Sequence, residues 1–181
     1  TRESRVMLYR RIADRVHRIA PFLNYDPDPY LTITDGRLVW MQDVYTTSSR
    51  YPYSTHAPGV NVNYIRNAIK TTIDAYDGRT VFHVVDPADP IAQTIGKVFP
   101  GLLQPLDVMP ESLRTRLRYP QQIFSIQASM FAVFHMTSPA VFYNREDQWE
   151  IPMFDAGGQT HSMHPYYTIM KLPGEKGPEY I

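Results

Sequence analysis

Apolar and polar positions follow three different periods along this chain. The first is helical. From Arg2 to Ala20, Leu8, Ile12, Val16 and Ile19 recur at helical spacing, Arg5, Arg11, Arg15 and Arg18 occupy other faces, and Pro21 supplies a stop. This predicts an amphipathic helix. The second period is two. Asp35-Gly36 and Asp77-Gly78 each sit between alternating runs. Asp-Gly suits a two-residue type I′ turn, because both central positions need φ > 0. Pairing outward from Asp35-Gly36 puts Ile33 opposite Leu38 and Leu31 opposite Trp40, giving one apolar face. Pairing outward from Asp77-Gly78 puts Ile73 opposite Phe82 and Thr71 opposite Val84. Ile69, Ile73, Phe82 and Val84 then share one face, and Lys70, Thr72, Asp74 and His83 share the other. Ile65, Ala68, Ile69, Thr72, Ile73 and Tyr76 also fit a helical stripe. The β-branched content from Ala68 onward favours a strand, with Asn63 to Asn67 as a helical turn before it.

The third pattern is apolar nearly all round. Pro120 opens QQIFSIQASMFAVFHM, a helix expected to lie buried between sheet and helices. Around it, Asp89 and Pro90 form the N-cap and first position of a helix striped by Ile91, Ile95, Val98 and Phe99. Pro110 opens a short helix carrying Leu113 and Leu117, and Ser138-Pro139 starts another turn or two through Tyr143. Asp155 to Gln159 reads as a flexible turn. Tyr166 to Leu172 reads as a strand with no following partner, a candidate sheet edge. Hairpins followed by helices predict an α+β fold: an antiparallel or mixed sheet built from two Asp-Gly hairpins and packed against several short helices.

The 181 residues suit a single domain, 1–181. Formal net charge is zero, so nothing asks for nucleic acid. The absence of cysteine excludes disulfides, thiolate zinc sites and cysteine nucleophiles. No apolar run approaches the roughly 20 residues that span a bilayer, so this stretch is not expected to insert into a membrane itself. A start at Thr1 fits a processed or partial piece.

Candidate chemistry is sparse. On the central hairpin, His83 falls opposite Thr72 and diagonal to Asp74, with Lys70 on the same face. An acid-oriented imidazole beside a hydroxyl is what general-base catalysis needs, although solvated sheet faces often carry such mixtures. His161 and His164 have the i, i+3 spacing of a metal pair but lack further ligands, so no metal and no cofactor are expected. His135, on the most apolar helix, reads as a hydrogen-bonded core histidine. Asp26, Asp28, Asp86 and Asp89 could offer oxygens to Ca²⁺, yet they lack the EF-hand order and suit loop and cap chemistry better. Arg114 and Arg118 share a helix face and could hold a phosphate or carboxylate; pairing with Glu111, Asp107 or Glu146 is the simpler fate. Tyr45 to Ser54 reads as a polar, aromatic surface loop. Tyr45, Arg50, Tyr51 and Tyr53 are its binding candidates, on the condition that two of the rings are exposed together.

IAPFL (Ile19–Leu23), DGRL (Asp35–Leu38), YTTS (Tyr45–Ser48) and YPYS (Tyr51–Ser54) occur in order. NYIRN (Asn63–Asn67), DAYDG (Asp74–Gly78), FPGL (Phe99–Leu102), LRYP (Leu117–Pro120) and YNRED (Tyr143–Asp147) follow, then Trp149. This ordered set resembles the uncharacterised protein family number 0182, large bacterial multi-pass integral membrane proteins. The resemblance covers nearly the whole chain. It implies part of an extracytoplasmic soluble region behind N-terminal transmembrane helices, and it brings no catalytic residue with it. The expected role is a non-catalytic domain for binding, assembly or gating. Its partners would be the membrane part of the parent protein, or an envelope protein or polymer. A hydrolase using His83 and Asp74, or a metal at His161 and His164, is the alternative.

Overall fold

The computed structural model describes residues 6–56 and 61–181. The chain packs as two compact units, Thr1–Pro120 and Gln121–Ile181, where its length alone suggests one. The fold is α+β, with a mixed six-stranded sheet in the first unit.

The first unit opens with helix α1, Ile12–Ile19. It is shorter than the apolar periodicity suggests. Tyr9 takes a left-handed backbone and Arg11 is extended, so residues 6–11 lie outside the helix and Leu8 is exposed. Arg2 and Arg5 fall outside the described residues. Strands β1 (Asn24–Tyr25), β2 (Tyr30–Thr34), β3 (Arg37–Ser48), β4 (Tyr64–Asp74) and β5 (Thr80–Val84) follow. Helix α2 (Pro90–Val98) then leads to β6 (Leu103–Pro105), a 3-10 turn at Leu106–Val108, and α3 (Glu111–Arg114). The sheet order is β1-β3-β4-β5-β6, with β2 also paired to β3. All pairings are antiparallel except β5 with β6, which α2 joins as a parallel crossover.

At Asp35-Gly36 both residues have positive φ, 48° and 73°, and Ile33 pairs with Leu38 and Leu31 with Trp40. The apolar face of that hairpin nevertheless points outward. Leu31, Ile33 and Leu38 are exposed, while Tyr30, Thr32 and Thr34 are buried. The central hairpin differs from its expected register. Thr71 faces Phe82, Lys70 faces His83 and Thr72 faces Val81, a shift of two residues. The cause is Asp74. Its carboxylate accepts the amides of Tyr76 (2.8 Å) and Asp77 (3.3 Å), so the connection runs over residues 75–79 instead of a two-residue turn. A shift of two preserves which side chains share a face. Gly78 is fixed by φ of 74° and by close approach: a Cβ there would lie 2.7 Å from the Arg15 guanidinium, which donates to the Gly78 carbonyl at 3.1 Å. Residues 64–67, expected as a helical turn, are the start of β4.

One side of the sheet packs Val44, Ile69 and Phe82 against Ala20, Leu23 and Ala92. The other packs Tyr30, Val39 and Met41 against Met109 and Leu113. The second unit holds α4 (Gln121–Phe134) and α5 (Pro139–Asn144). It also holds a hairpin of β7 (Met153–Ala156) and β8 (Gln159–Ser162), and a second of β9 (Ile169–Met170) and β10 (Glu179–Tyr180). Two expectations fail here. The strand at Tyr166–Leu172 shrinks to Ile169–Met170 and has a partner, β10. Helix α4 is not enclosed: Ile123 is buried, while Phe124, Met130, Phe131 and Phe134 are exposed.

Candidate functional site

The strands β3, β4 and β5 bring Asp43, Lys70, Thr72 and His83 to one sheet face. Lys70 pairs across to Asp43 on β3 and to His83 on β5. This face is covered rather than solvated. Lys70 is 5% exposed and His83 3%. The Lys70 ammonium forms an ion pair with the Asp43 carboxylate and donates to the Arg118 carbonyl at 2.9 Å. Asn67 donates to the same carboxylate oxygen of Asp43 at 3.0 Å. Burial pushes the Asp43 carboxyl up, against the pull of Lys70 and Asn67. Beside the pair, Thr72 Oγ1 and His83 Nε2 hydrogen-bond at 3.2 Å, and burial holds the His83 imidazole below the ordinary histidine range.

A second buried acid stands next to these. Asp26 is hydrogen-bonded by the Tyr45 hydroxyl and by the Asp28 amide at 2.9 Å. The Asp26 amide donates to the Asp43 carbonyl at 2.9 Å, and the Gln42 side chain donates to the Asp26 carbonyl at 2.7 Å. Asp43, Asn67 and Gln42 are not among the candidates that the sequence offers. The legible signal was a lysine at a strand position between β-branched residues, which implies a counter-charge if that face is buried.

The proposed catalytic set does not assemble. Asp74 lies at the far end of β4, held by Arg37 at 2.8 Å with Asp77 also 3.8 Å from that guanidinium. Burial raises its pKa, but the amides of Tyr76 and Asp77 and the Arg37 charge outweigh this and hold it below the usual carboxylate range. His83 therefore has Lys70 opposite and Thr72 diagonal, and among the described residues no carboxylate bonds its imidazole. What remains is a hydrogen-bonded polar layer inside the fold, closed to a substrate in this conformation.

The other candidates separate. Tyr45 belongs to β3 and is buried with its hydroxyl on Asp26, so it is core and not loop. Tyr51 is 44% exposed and stacks on Tyr64 with centroids 4.7 Å apart. Tyr53 is fully exposed on a left-handed backbone, and Arg50 is exposed. Asn63 ties this loop down, accepting from the Tyr51 amide at 2.9 Å and donating to its carbonyl at 2.8 Å. Tyr64 in turn bonds Asp89, which with burial pushes its hydroxyl up to about 12. Asp89 caps α2 through Ala92 N at 2.6 Å and accepts from Thr46 at 3.1 Å, while Asp86 accepts the Ala88 amide. These aspartates serve caps and turns.

Arg114 pairs with Glu111. Helix α3 ends at Arg114, so Arg118 is not on its face; instead the Arg118 guanidinium covers the Tyr30 ring at 4.2 Å. In the second unit, His161 lies on β8 beside Phe154, and His164 is exposed beyond the strand. Among the described residues no three His, Cys, Asp or Glu side chains gather as a metal site. His135 Nδ1 donates to the Phe131 carbonyl at 2.9 Å, and the ring stacks on Trp149 at 3.9 Å.

A family model described as Uncharacterised protein family (UPF0182) matches residues 1–181. A UPF0182 protein of Pelotomaculum thermopropionicum is 51% identical over 98% of this chain and 19% of its own length. One of Desulforamulus reducens is 50% identical over 100% of this chain and 20% of its own length, and one of Synechococcus sp. 51% over 96% and 21%. The chain thus spans about a fifth of the relatives it matches. No solved structure matches it.

Proposed function

The chain belongs to the uncharacterised protein family UPF0182, and from that premise we propose that it is a non-catalytic region for binding and assembly within an integral membrane protein, on the extracytoplasmic side. The observation that carries this reading is the amount of large apolar side chain left in solvent by the second unit. Phe124, Phe131, Phe134, Phe142, Trp149 and Phe154 are all exposed within a few dozen residues. Apolar surface on that scale marks a contact with something else. The rest of the parent polypeptide is the first candidate, since the relatives are about five times longer than this chain. The closed state of the Lys70–Asp43 and Thr72–His83 face supports binding over hydrolysis. Among the described residues no helix is long and apolar enough to cross a membrane, so the anchor would lie elsewhere in the parent.

A photocrosslinking residue placed at Phe134 of the full-length protein, in membranes, tests the proposal. The expected result is a crosslink to another part of the same polypeptide or to an envelope partner, well above that from a control at exposed Thr94 of α2. Equal, background-level labelling at both positions would refute it. The Tyr51 and Tyr53 loop is a second contact on this reading. Tyr51→Ala with Tyr53→Ala should leave the circular dichroism spectrum intact while reducing retention of the chain on the membrane part of the parent.

A further inference from the structure

The parallel β5–α2–β6 crossover borders an open groove of about 560 Å³, and we infer that it is a binding site for a small organic cation with an apolar body. The groove opens at the carboxyl ends of both parallel strands. Val84, Val85 and Pro87 line it at the end of β5, and Leu106 and Asp107 at the end of β6. Crevices in this position are where open α/β units hold their ligands. Its volume lies within the range of small-molecule sites.

Two features define the ligand. The first is Gly96, which faces the groove from within α2. Glycine in a helix interior is unfavourable relative to alanine, and its usual structural justification is a close neighbour. Here no atom lies within 4 Å of the position its Cβ would take, and φ is not in the left-handed region. The space at Gly96 therefore belongs to the groove, and it lets an apolar body lie directly on the α2 backbone between Ala92 and Leu103.

The second is charge. An anion would be the usual guest where a helix begins beside parallel strands. That option is weakened: Pro90 has no N–H, the amides of Ala92 and Gln93 already bond to Asp89, at 2.6 Å and 3.0 Å, and Ile91 is not part of the groove lining. The side-chain amide groups of Gln93 and Gln104 are each held by one bond, to the carbonyls of Pro87 and Gly101. Asp107 is left as the charged group of the wall, and no partner for its carboxylate occurs among the described residues. An apolar trough with a lone carboxylate at its rim complements an ammonium head on a hydrocarbon or aromatic body.

The test uses three matched probes on the 181-residue chain: 2-phenylethylamine, 2-phenylethanol and 3-phenylpropionate, titrated while amide shifts are followed by NMR. The ammonium probe should saturate with shifts centred on Gly96 and Leu106, the alcohol should bind at least fivefold more weakly, and the carboxylate should not saturate. Asp107→Asn should reduce the amine to the affinity of the alcohol. Gly96→Leu should abolish binding of both, with the rest of the spectrum retained because its Cβ has no neighbour within 4 Å and the side chain extends into the groove. Equal binding of amine and alcohol would overturn the inference in favour of a purely apolar occupant. Shifts centred away from the groove, or an unchanged amine affinity in Asp107→Asn, would overturn it too. The Asp107→Asn comparison stands if Gly96→Leu misfolds. None of these readouts depends on the membrane assignment, so failure here leaves that reading untouched.

Discussion

The sheet face beneath residues 106–118 and the helix α4 hold opposite side chains in opposite surroundings. On the sheet face Asp43, Lys70, Thr72 and His83 are buried. On α4, Phe124, Met130, Phe131 and Phe134 stand in solvent. The first arrangement is tolerable because each of these side chains meets a polar partner through at least one atom: Lys70 with Asp43 and the Arg118 carbonyl, Thr72 with His83. Removing a buried charge's partner is what costs, not the presence of the charge. The second arrangement leaves apolar area uncovered, relieved in part by ring contacts of Phe131 with Trp149 and of Phe134 with Phe142. Cover decides burial, and residue type decides only how expensive a given cover is.

The sharpest way to break that comparison is Lys70→Met. It leaves Asp43 buried without its counter-charge, and should destabilise the chain by about 3–5 kcal/mol in denaturant unfolding. Lys70→Met combined with Asp43→Leu should recover much of the loss. Equal stability of Lys70→Met and the native chain would mean that the pair is solvated. Next, Met41→Ala in the sheet core should cost about 2–5 kcal/mol through lost contact and a cavity beside Met109.

A pH titration sharpens the same contrast at smaller amplitude. Folded His83 holds its proton less tightly than in the unfolded chain, because burial disfavours its charge. The unfolded state then binds more protons, so stability rises with pH and falls as pH drops below the ordinary histidine value of 6.5. His83→Gln should flatten that acid limb. A limb of unchanged slope would locate the titration in other groups. The smallest effect belongs to α4. Phe124→Ser removes as much apolar side chain as many core changes, yet should shift stability by less than about 0.5 kcal/mol. A loss above about 2 kcal/mol would show that the ring is packed in solution.

Much of the candidate site was legible one residue at a time and not as a set. Parity alone places Lys70, Thr72 and His83 together, since a register shift of two leaves faces unchanged. Their environment was not legible. It depends on Met109 and Leu113 folding back over the sheet, far along the chain. Asp74 was assigned to the imidazole because a two-residue turn places it diagonally. Its own carboxylate, by capturing the amides of Tyr76 and Asp77, lengthens the turn and carries it to Arg37 instead. Tyr45 looked like a loop residue because its neighbours are hydroxyls and aromatics. A bulge between Val44 and Thr46 keeps β3 paired through that polar stretch.

By itself the sequence determined what local chemistry controls. The Asp35-Gly36 turn needs two left-handed residues, and this dipeptide supplies them at little steric cost. Asp89 and Pro90 start α2 because one offers a capping carboxylate and the other a preset φ without an N–H to satisfy. Alternation fixed the two faces of β4 and β5. Tertiary structure decided which faces are covered: it turned Leu31, Ile33 and Leu38 outward, drew Lys70 and Asp43 inward, and left α4 open. The reason is physical. Period and propensity act within a few residues, whereas cover is set by segments distant in sequence, and no local pattern encodes the distance they travel.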